Sequence, residues 1–174
     1  GNLERGGTVD APIGRHPTQR TKMAVVQGGK AARTHYRIVE RFLDCTLVEC
    51  ALETGRTHQI RVHMASIGHP LVGDPVYGTG ASRVPIGPDF PRQALHARRL
   101  GLVHPATGKA MLWKAELPED MAELIETARM LAAEAKVLAE ESEDDWDESE
   151  FADGPEIIYV RGDGDSEDDD DDLE

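Results

Sequence analysis

Hydrophobic and polar residues alternate along two neighbouring stretches in the first third of the chain, residues 32–42 and 44–53. A period of two is typical of strands with one buried and one exposed face. The short polar break between the stretches predicts an antiparallel hairpin. In the first stretch the two faces are His35, Arg37, Val39 and Arg41 on one side and Tyr36, Ile38, Glu40 and Phe42 on the other.

A short helix is predicted next, because Ile60, Met64 and Ile67 recur at helical spacing. Thr57 is the expected N-cap and Gly68, followed by His69-Pro70, the expected end. Ile60 should point into the core. Its neighbour Arg61 is then either a surface cation or a charge aimed into a site, where its planar guanidinium would bind an anion.

The remaining pattern predicts strands over 94–103 and 109–116, and a long helix from Leu117-Pro118 to about Glu140. Residues 1–29 are predicted as loop with one strand near Met23, and the proline-rich residues 77–93 as loop. The fold class is therefore α+β, mainly antiparallel sheet with one short and one long C-terminal helix. The apolar stripe expected to pack the long helix consists of Met121, Leu124, Ile125, Ala128, Leu131, Ala132, Ala135 and Leu138.

Charge divides the chain into two parts. Residues 1–114 carry sixteen basic and eight acidic residues, a net charge of +8, whereas residues 115–174 carry a net −22. We predict one domain over 1–140 and an acidic, largely disordered tail over 141–174, with 157–160 as the exception. The basic part is expected to bind a polyanion. The tail is alternatively a protein-interaction element.

Several classes of protein are disfavoured by composition. No apolar run reaches the length of a membrane span, and we expect a cytoplasmic protein. Cys45 and Cys50 are too far apart along one strand to pair. The histidines lack metal-ligand spacing, so neither a metal site nor a cofactor is expected. Because the chain opens on Gly1 without methionine, we expect a processed or excised piece.

Several motifs together resemble one family. Residues 55–63 read GRTHQIRVH and residues 69–78 read HPLVGDPVYG. These motifs, with four shorter ones, resemble the catalytic domain of RluA-type RNA pseudouridine synthases over residues 8–128. The resemblance implies a partial synthase domain that isomerises uridine to pseudouridine in large-subunit ribosomal RNA, without metal or cofactor. The shorter motifs are Thr34–Ile38, Arg92–Ala97, His104-Pro105 and Pro118–Met121.

The resemblance also implies catalytic roles. Arg61 would pair with a nucleophilic aspartate, Tyr36 would stack on the uracil, and Ile60 would close against it. The family's Arg-Leu-Asp motif, which carries that aspartate, does not occur in this chain. We therefore expect the nucleophile upstream and the chain alone to be inactive. The alternatives are a non-catalytic RNA-binding or ribosome-assembly module and, for Tyr36, an ordinary strand aromatic.

The predicted RNA contacts lie in two places. The resemblance favours phosphate contact by Arg15, Arg20 and Lys22, which are otherwise residues of a solvated loop. A second group could contact phosphate or serve the fold, and consists of Arg56, His58 and His63. The expected partner is large-subunit ribosomal RNA or a ribosome precursor. Asp74, the only acid of the glycine-rich turn, is predicted to form the turn and not to be the nucleophile.

Overall fold

Antiparallel strands and two helices make up the computed structural model, which describes residues 3–78 and 90–144. The predicted α+β class is confirmed. The predicted loop residues 79–89 and the tail beyond residue 144, including 157–160, lie outside the described residues. In chain order the elements are β1 Gly7–Asp10, β2 Ile13–Arg15, β3 Met23–Val25, β4 Arg33–Arg41, β5 Thr46–Leu52, α1 Gln59–Ser66, β6 Arg99–Val103, β7 Ala110–Lys114 and α2 Glu119–Asp144.

The predicted hairpin is present as β4 and β5, which pair antiparallel. The register shifts between Ile38 and Glu40, so a bulge bends β4. Residues 34, 36, 38, 40 and 42 are buried or half-buried, whereas 37, 39 and 41 are exposed. The alternation therefore predicted the two faces, because only one face of the sheet packs against the rest of the chain.

The N-terminal residues contain more strands than the sequence indicated. β1 adds to the outer edge of β4, giving the sheet order β1-β4-β5, and β2 pairs with β3. The expectation of a single strand near Met23 was wrong. Strands of three or four residues carry little periodicity, and long-range pairing decides whether they form. Ile13, almost fully buried, packs with Ala32 and Val62 in a small core.

Helix α1 begins one residue later than predicted. Thr57 is not its N-cap; His58 holds that position, in the left-handed conformation with φ of 56°. The predicted end is confirmed, since Gly68 has φ of 84° and follows the last turn. Val62 and Met64 are core residues, whereas Ile60 is only half-buried and borders an open groove.

Strands β6 and β7 form the predicted second hairpin, and all ten of their residues are exposed. Helix α2 packs on β4 and β5 through Ile125 and Ala128, which contact Phe42. Seven of the eight predicted stripe residues are buried or half-buried, and the exception is Leu138, which is 66% exposed. The helix continues beyond the sheet residues that cover its first half.

Candidate active site around Arg61

A buried polar cluster fixes α1 against the sheet. The Gln59 side-chain amide donates to the Arg33 carbonyl at 2.9 Å and to the Thr34 hydroxyl at 3.0 Å. The Thr34 hydroxyl in turn lies 2.9 Å from His63 Nδ1. Because Thr34 and His63 are fully buried, each needs these partners. The cluster therefore sets where the first turn of α1 lies on β4.

His63 is placed differently from the prediction that it contacts RNA. Its ring is 0% exposed, and Nε2 lies 2.9 Å from the Ala11 carbonyl oxygen. A carbonyl only accepts hydrogen bonds, so Nε2 carries a proton. Both ring nitrogens are thus used inside the protein. This histidine joins β4, α1 and the β1–β2 connection, and RNA contact by its side chain is excluded in this structure.

Arg61 is buried, and it pairs with Asp74. Its Nε donates to Asp74 Oδ2 at 2.8 Å and its Nη2 donates to Asp74 Oδ1 at 2.7 Å. The Arg61 side chain is 10% exposed and that of Asp74 0%. Of the two readings of Arg61, the surface cation is therefore wrong. A parallel pair of charge-assisted hydrogen bonds also fixes the plane of the guanidinium.

Asp74 forms its turn, as predicted, and holds Arg61 with the same carboxylate. Its Oδ1 accepts the backbone N–H of Val76 at 2.9 Å and of Tyr77 at 3.0 Å. Burial raises the pKa of Asp74. The hydrogen bonds from Arg61, Tyr77 and Val76 and the charge of Arg61 outweigh burial and lower the pKa to about 2. The carboxylate is therefore ionised throughout the physiological range.

The backbone just before Asp74 is equally constrained. Gly73 has φ of 68°, and a Cβ there would lie 2.2 Å from the Arg92 carbonyl oxygen. Only glycine fits both the left-handed conformation and the close approach of residues 90–92. The turn that carries Asp74 is thus packed against a second segment of chain.

Tyr77 closes one face of the pair. The Arg61 Cζ lies 4.9 Å from the centre of its ring, a cation–π contact. The Tyr77 hydroxyl accepts the Met23 N–H at 3.0 Å and lies 2.9 Å from His58 Nδ1. Since the hydroxyl accepts from Met23, its own proton is available to His58. Tyr77 thereby connects Arg61 to β3 and to the start of α1.

Tyr36 and Ile60 lie on the same side of the sheet as Arg61. Tyr36 shares a strand face with Thr34, the residue to which α1 is bonded, and Ile60 precedes Arg61 on that helix. Gly7 is paired opposite Tyr36, and a Cβ at Gly7 would lie 3.1 Å from the Tyr36 hydroxyl. Among the hydrogen bonds and ring contacts of the described residues, none joins Tyr36 to Arg61.

The other predicted RNA-contact residues remain near the surface. Arg15 and Arg20 are exposed, Lys22 is half-buried, and Arg15 Nη1 donates to the Arg20 carbonyl at 3.1 Å. Arg56 is exposed and its Nε donates to the Ala31 carbonyl at 2.9 Å. His58 is exposed at the start of α1. Their positions leave RNA contact as a prediction.

The role of Asp74 toward Arg61 was missed from the sequence, as was that of Tyr77. The two charges are thirteen residues apart, and only the reversal of the chain after Gly68 brings them together. The available signal was an acid between Gly73 and Pro75, which indicates a rigid turn but not what the turn faces. In the part of the chain that the structure describes, no cluster of three potential metal ligands and no membrane-spanning helix is present.

Comparison with known proteins defines the class. The structure is similar to human RNA Pseudouridylate Synthase Domain Containing 1, with a TM-score of 0.51 and 28% identity, covering 72% of this chain and 60% of that one. The family model for RNA pseudouridylate synthase matches residues 1–66. The fold is thus that of an RNA pseudouridylate synthase domain.

Curated relatives agree with this class. Ribosomal large subunit pseudouridine synthase D of Nitrosomonas europaea is 61% identical over 135 residues, which are 75% of this chain and 39% of the relative. The protein of the same name from Escherichia coli K12 is 58% identical over 138 residues, covering 74% and 42%. Over the matched residues the chain is similar to members of the RNA pseudouridylate synthase family. It spans about two fifths of the length of these relatives.

Proposed function

We propose that this chain supplies the arginine, tyrosine and isoleucine of a site that converts uridine to pseudouridine in large-subunit ribosomal RNA. The observation that carries the proposal is the buried, oriented Arg61 on a helix whose sequence matches relatives named pseudouridine synthase D. Uridine isomerisation breaks a C–N bond and rejoins the base through carbon. A carboxylate nucleophile for that step requires a cation that keeps it ionised and oriented.

The nucleophile in this proposal comes from chain that is not among these 174 residues. Eight acids precede Ala115, and five of them already bind cations. Asp74, which lies closest to Arg61, is fully buried, and both of its oxygens accept hydrogen bonds. A carboxylate in that state has no open approach for a substrate carbon. The five paired acids are Asp10, Glu40, Glu49, Glu53 and Asp74.

The remaining roles in this proposal are those that the family resemblance implies. Tyr36 contacts the uracil from the sheet, and Ile60 limits its movement from α1. Arg15, Arg20 and Lys22 meet phosphates, as do Arg56 and His58, which are exposed on the α1 side. The net charge of +8 over residues 1–114 favours association with RNA. As part of this proposal, we expect the protein to be soluble and cytoplasmic.

The test is a fused enzyme. Residues 1–140 replace the matching part of the Escherichia coli relative, whose upstream portion is expected to supply the Arg-Leu-Asp motif. The fusion should form pseudouridine in large-subunit RNA. Arg61→Lys should remove most turnover, because an ammonium cannot reproduce the two-edged fork, while RNA affinity falls much less. A folded, RNA-binding fusion that forms no pseudouridine would favour the non-catalytic RNA-binding module instead.

A further inference from the structure

We propose that Asp74 is a positioning residue, which holds one edge of the Arg61 guanidinium so that the other edge receives the nucleophilic carboxylate. The inference deepens the proposed function and rests on it. Its basis is a juxtaposition that the α1 sequence does not show: the buried Arg61 of α1 meets a fully buried carboxylate and an aromatic ring, both from the turn at residues 74–77.

The guanidinium has five N–H donors arranged in a plane. Asp74 takes the Nε–H and one N–H of Nη2. Three donors remain, one on Nη2 and two on Nη1, and the outer edge is formed by the Nη2 donor and the Nη1 donor parallel to it. Among the described residues, no hydrogen bond from Nη1 of Arg61 is made. A second carboxylate can therefore bind this edge in the same bidentate way while Asp74 stays in place.

The inner edge is rigid because Asp74 has no freedom to turn. Its carboxylate accepts two hydrogen bonds from Arg61 and two from the backbone of the turn that it closes. Gly73 fixes the backbone before it, and the Tyr77 ring covers one face of the guanidinium. The direction of the outer edge is thereby set before any second carboxylate arrives, which is what preorganisation of a catalytic group requires.

The charges of the pair also indicate that Asp74 positions Arg61. Because Asp74 offsets part of the Arg61 charge, an incoming carboxylate is held by the directed N–H donors as well as by the guanidinium charge. Asp74 therefore contributes orientation rather than charge. Its removal would leave a stronger net cation in a poorer geometry, so the account predicts lost turnover without lost RNA binding.

A built-in control exists in the same chain. Arg92 binds Asp120 through the same two donors, Nε and Nη2, both at 2.8 Å. Its outer edge is filled, since Nη1 donates to the carbonyls of Gln93 and Leu95 at 3.2 Å. An added carboxylate should consequently bind at Arg61 and not at Arg92.

The first experiment uses the full 174-residue chain and NMR of the arginine side chains, with formate as the carboxylate probe. Arg61 should show hindered rotation about its Cζ–Nε bond, and formate should shift its Nη signals while those of Arg92 stay unchanged. Asp74→Asn should release the rotation. Free rotation of Arg61 in the unsubstituted chain, or equal formate shifts at Arg61 and Arg92, would overturn the proposal even if the variant does not fold.

The second experiment uses the fused enzyme. Asp74→Asn should lower kcat about 100-fold and leave KM near the parent value, whereas the matched Asp120→Asn should leave kcat unchanged. Unaltered kcat in the Asp74 variant, or equal losses in both variants, would refute positioning. An inactive parent fusion would instead refute the proposed function, and the NMR result would still decide the role of Asp74.

Discussion

Two arginine–aspartate pairs in this chain have nearly the same geometry in different surroundings. In both, Nε and Nη2 of the arginine donate to the two oxygens of the aspartate at 2.7–2.8 Å. Both arginines also lie over an aromatic ring, Tyr77 in one case and Phe90 in the other. The exposed fractions differ: 10% and 0% for Arg61 and Asp74, against 34% and 37% for Arg92 and Asp120.

The difference lies in what the rest of each arginine meets. Arg92 donates its remaining hydrogen bonds to nearby carbonyls, so that pair ties residues 90–95 to the start of α2. The Arg61–Asp74 pair is buried, and among the described residues the Nη1 donors of Arg61 make no hydrogen bond. The geometry of an arginine–aspartate pair therefore does not show whether the pair only links two segments or belongs to a functional site. The burial of the pair and the unused N–H donors of the arginine make that distinction. The same contrast recurs elsewhere in the chain and can be tested pair by pair.

The largest effect is expected for Asp74→Ala. Removing the aspartate leaves the buried Arg61 charge without a partner, which should lower the free energy of unfolding by about 4 kcal/mol. Asp120→Ala should cost a small fraction of this, because water screens its partner. Urea denaturation of both variants measures the difference. Equal losses would mean that burial does not distinguish the two pairs.

The buried pair should also impose a pH dependence. The pKa of Asp74 is lowered from 3.8 to about 2 in the folded chain, so its stabilisation is complete above about pH 4 and lost as the pH falls toward 2. Between those values, the unsubstituted chain should lose about 2 kcal/mol more than Asp74→Asn. Denaturation curves across this range measure the slopes. Parallel slopes would contradict the lowered pKa.

A threonine–histidine pair offers the same comparison with smaller effects. Thr34 and His63 are joined inside the core at 2.9 Å, whereas Thr8 and His35 are joined on the exposed side of the sheet at 2.7 Å. Thr34→Val should cost about 1 to 2 kcal/mol, because His63 loses a buried partner. Thr8→Val should change little, since water replaces the hydroxyl. A loss at Thr8 as large as at Thr34 would contradict the comparison.

The sequence predicts best those elements whose pattern depends on a single buried face. The β4–β5 hairpin was predicted with its faces because one side packs against α1 and α2. Helix α1 was predicted, but its first residue was not: His58, in the left-handed conformation and without a side-chain capping hydrogen bond, holds the N-cap position expected of Thr57. The α2 stripe was extended to Leu138 because periodicity continues after the sheet has ended.

The site was predicted less completely than the fold. Family resemblance singled out Arg61, Tyr36 and Ile60, and their catalytic roles remain predictions. Local pattern could not supply the partner of Arg61, since Asp74 reaches it only through the tertiary course of the turn. For His63 the sequence left phosphate contact and a role in the fold open, because a histidine within a motif looks the same whether it faces solvent or a buried threonine; its burial against Thr34 supports the role in the fold.

The smallest effect concerns two strand glycines. A Cβ at Gly7 would lie 3.1 Å from the Tyr36 hydroxyl, whereas at Gly101 it would meet Leu112 at an ordinary 3.7 Å. Gly7→Ala should displace the Tyr36 ring by a few tenths of an ångström and shift its NMR signals, with little change in stability. Gly101→Ala should leave those signals unmoved. Unshifted Tyr36 signals in Gly7→Ala would show that the ring does not depend on that glycine.

The central claim is that this chain orients a carboxylate that its own residues do not provide. The most direct measurement incubates the purified 174-residue chain alone with large-subunit ribosomal RNA and maps pseudouridine chemically. The fused enzyme described above serves as the positive control. The account predicts RNA binding without pseudouridine from the chain alone. Turnover above background from the chain alone would mean that one of its own acids is the nucleophile, and would contradict the account.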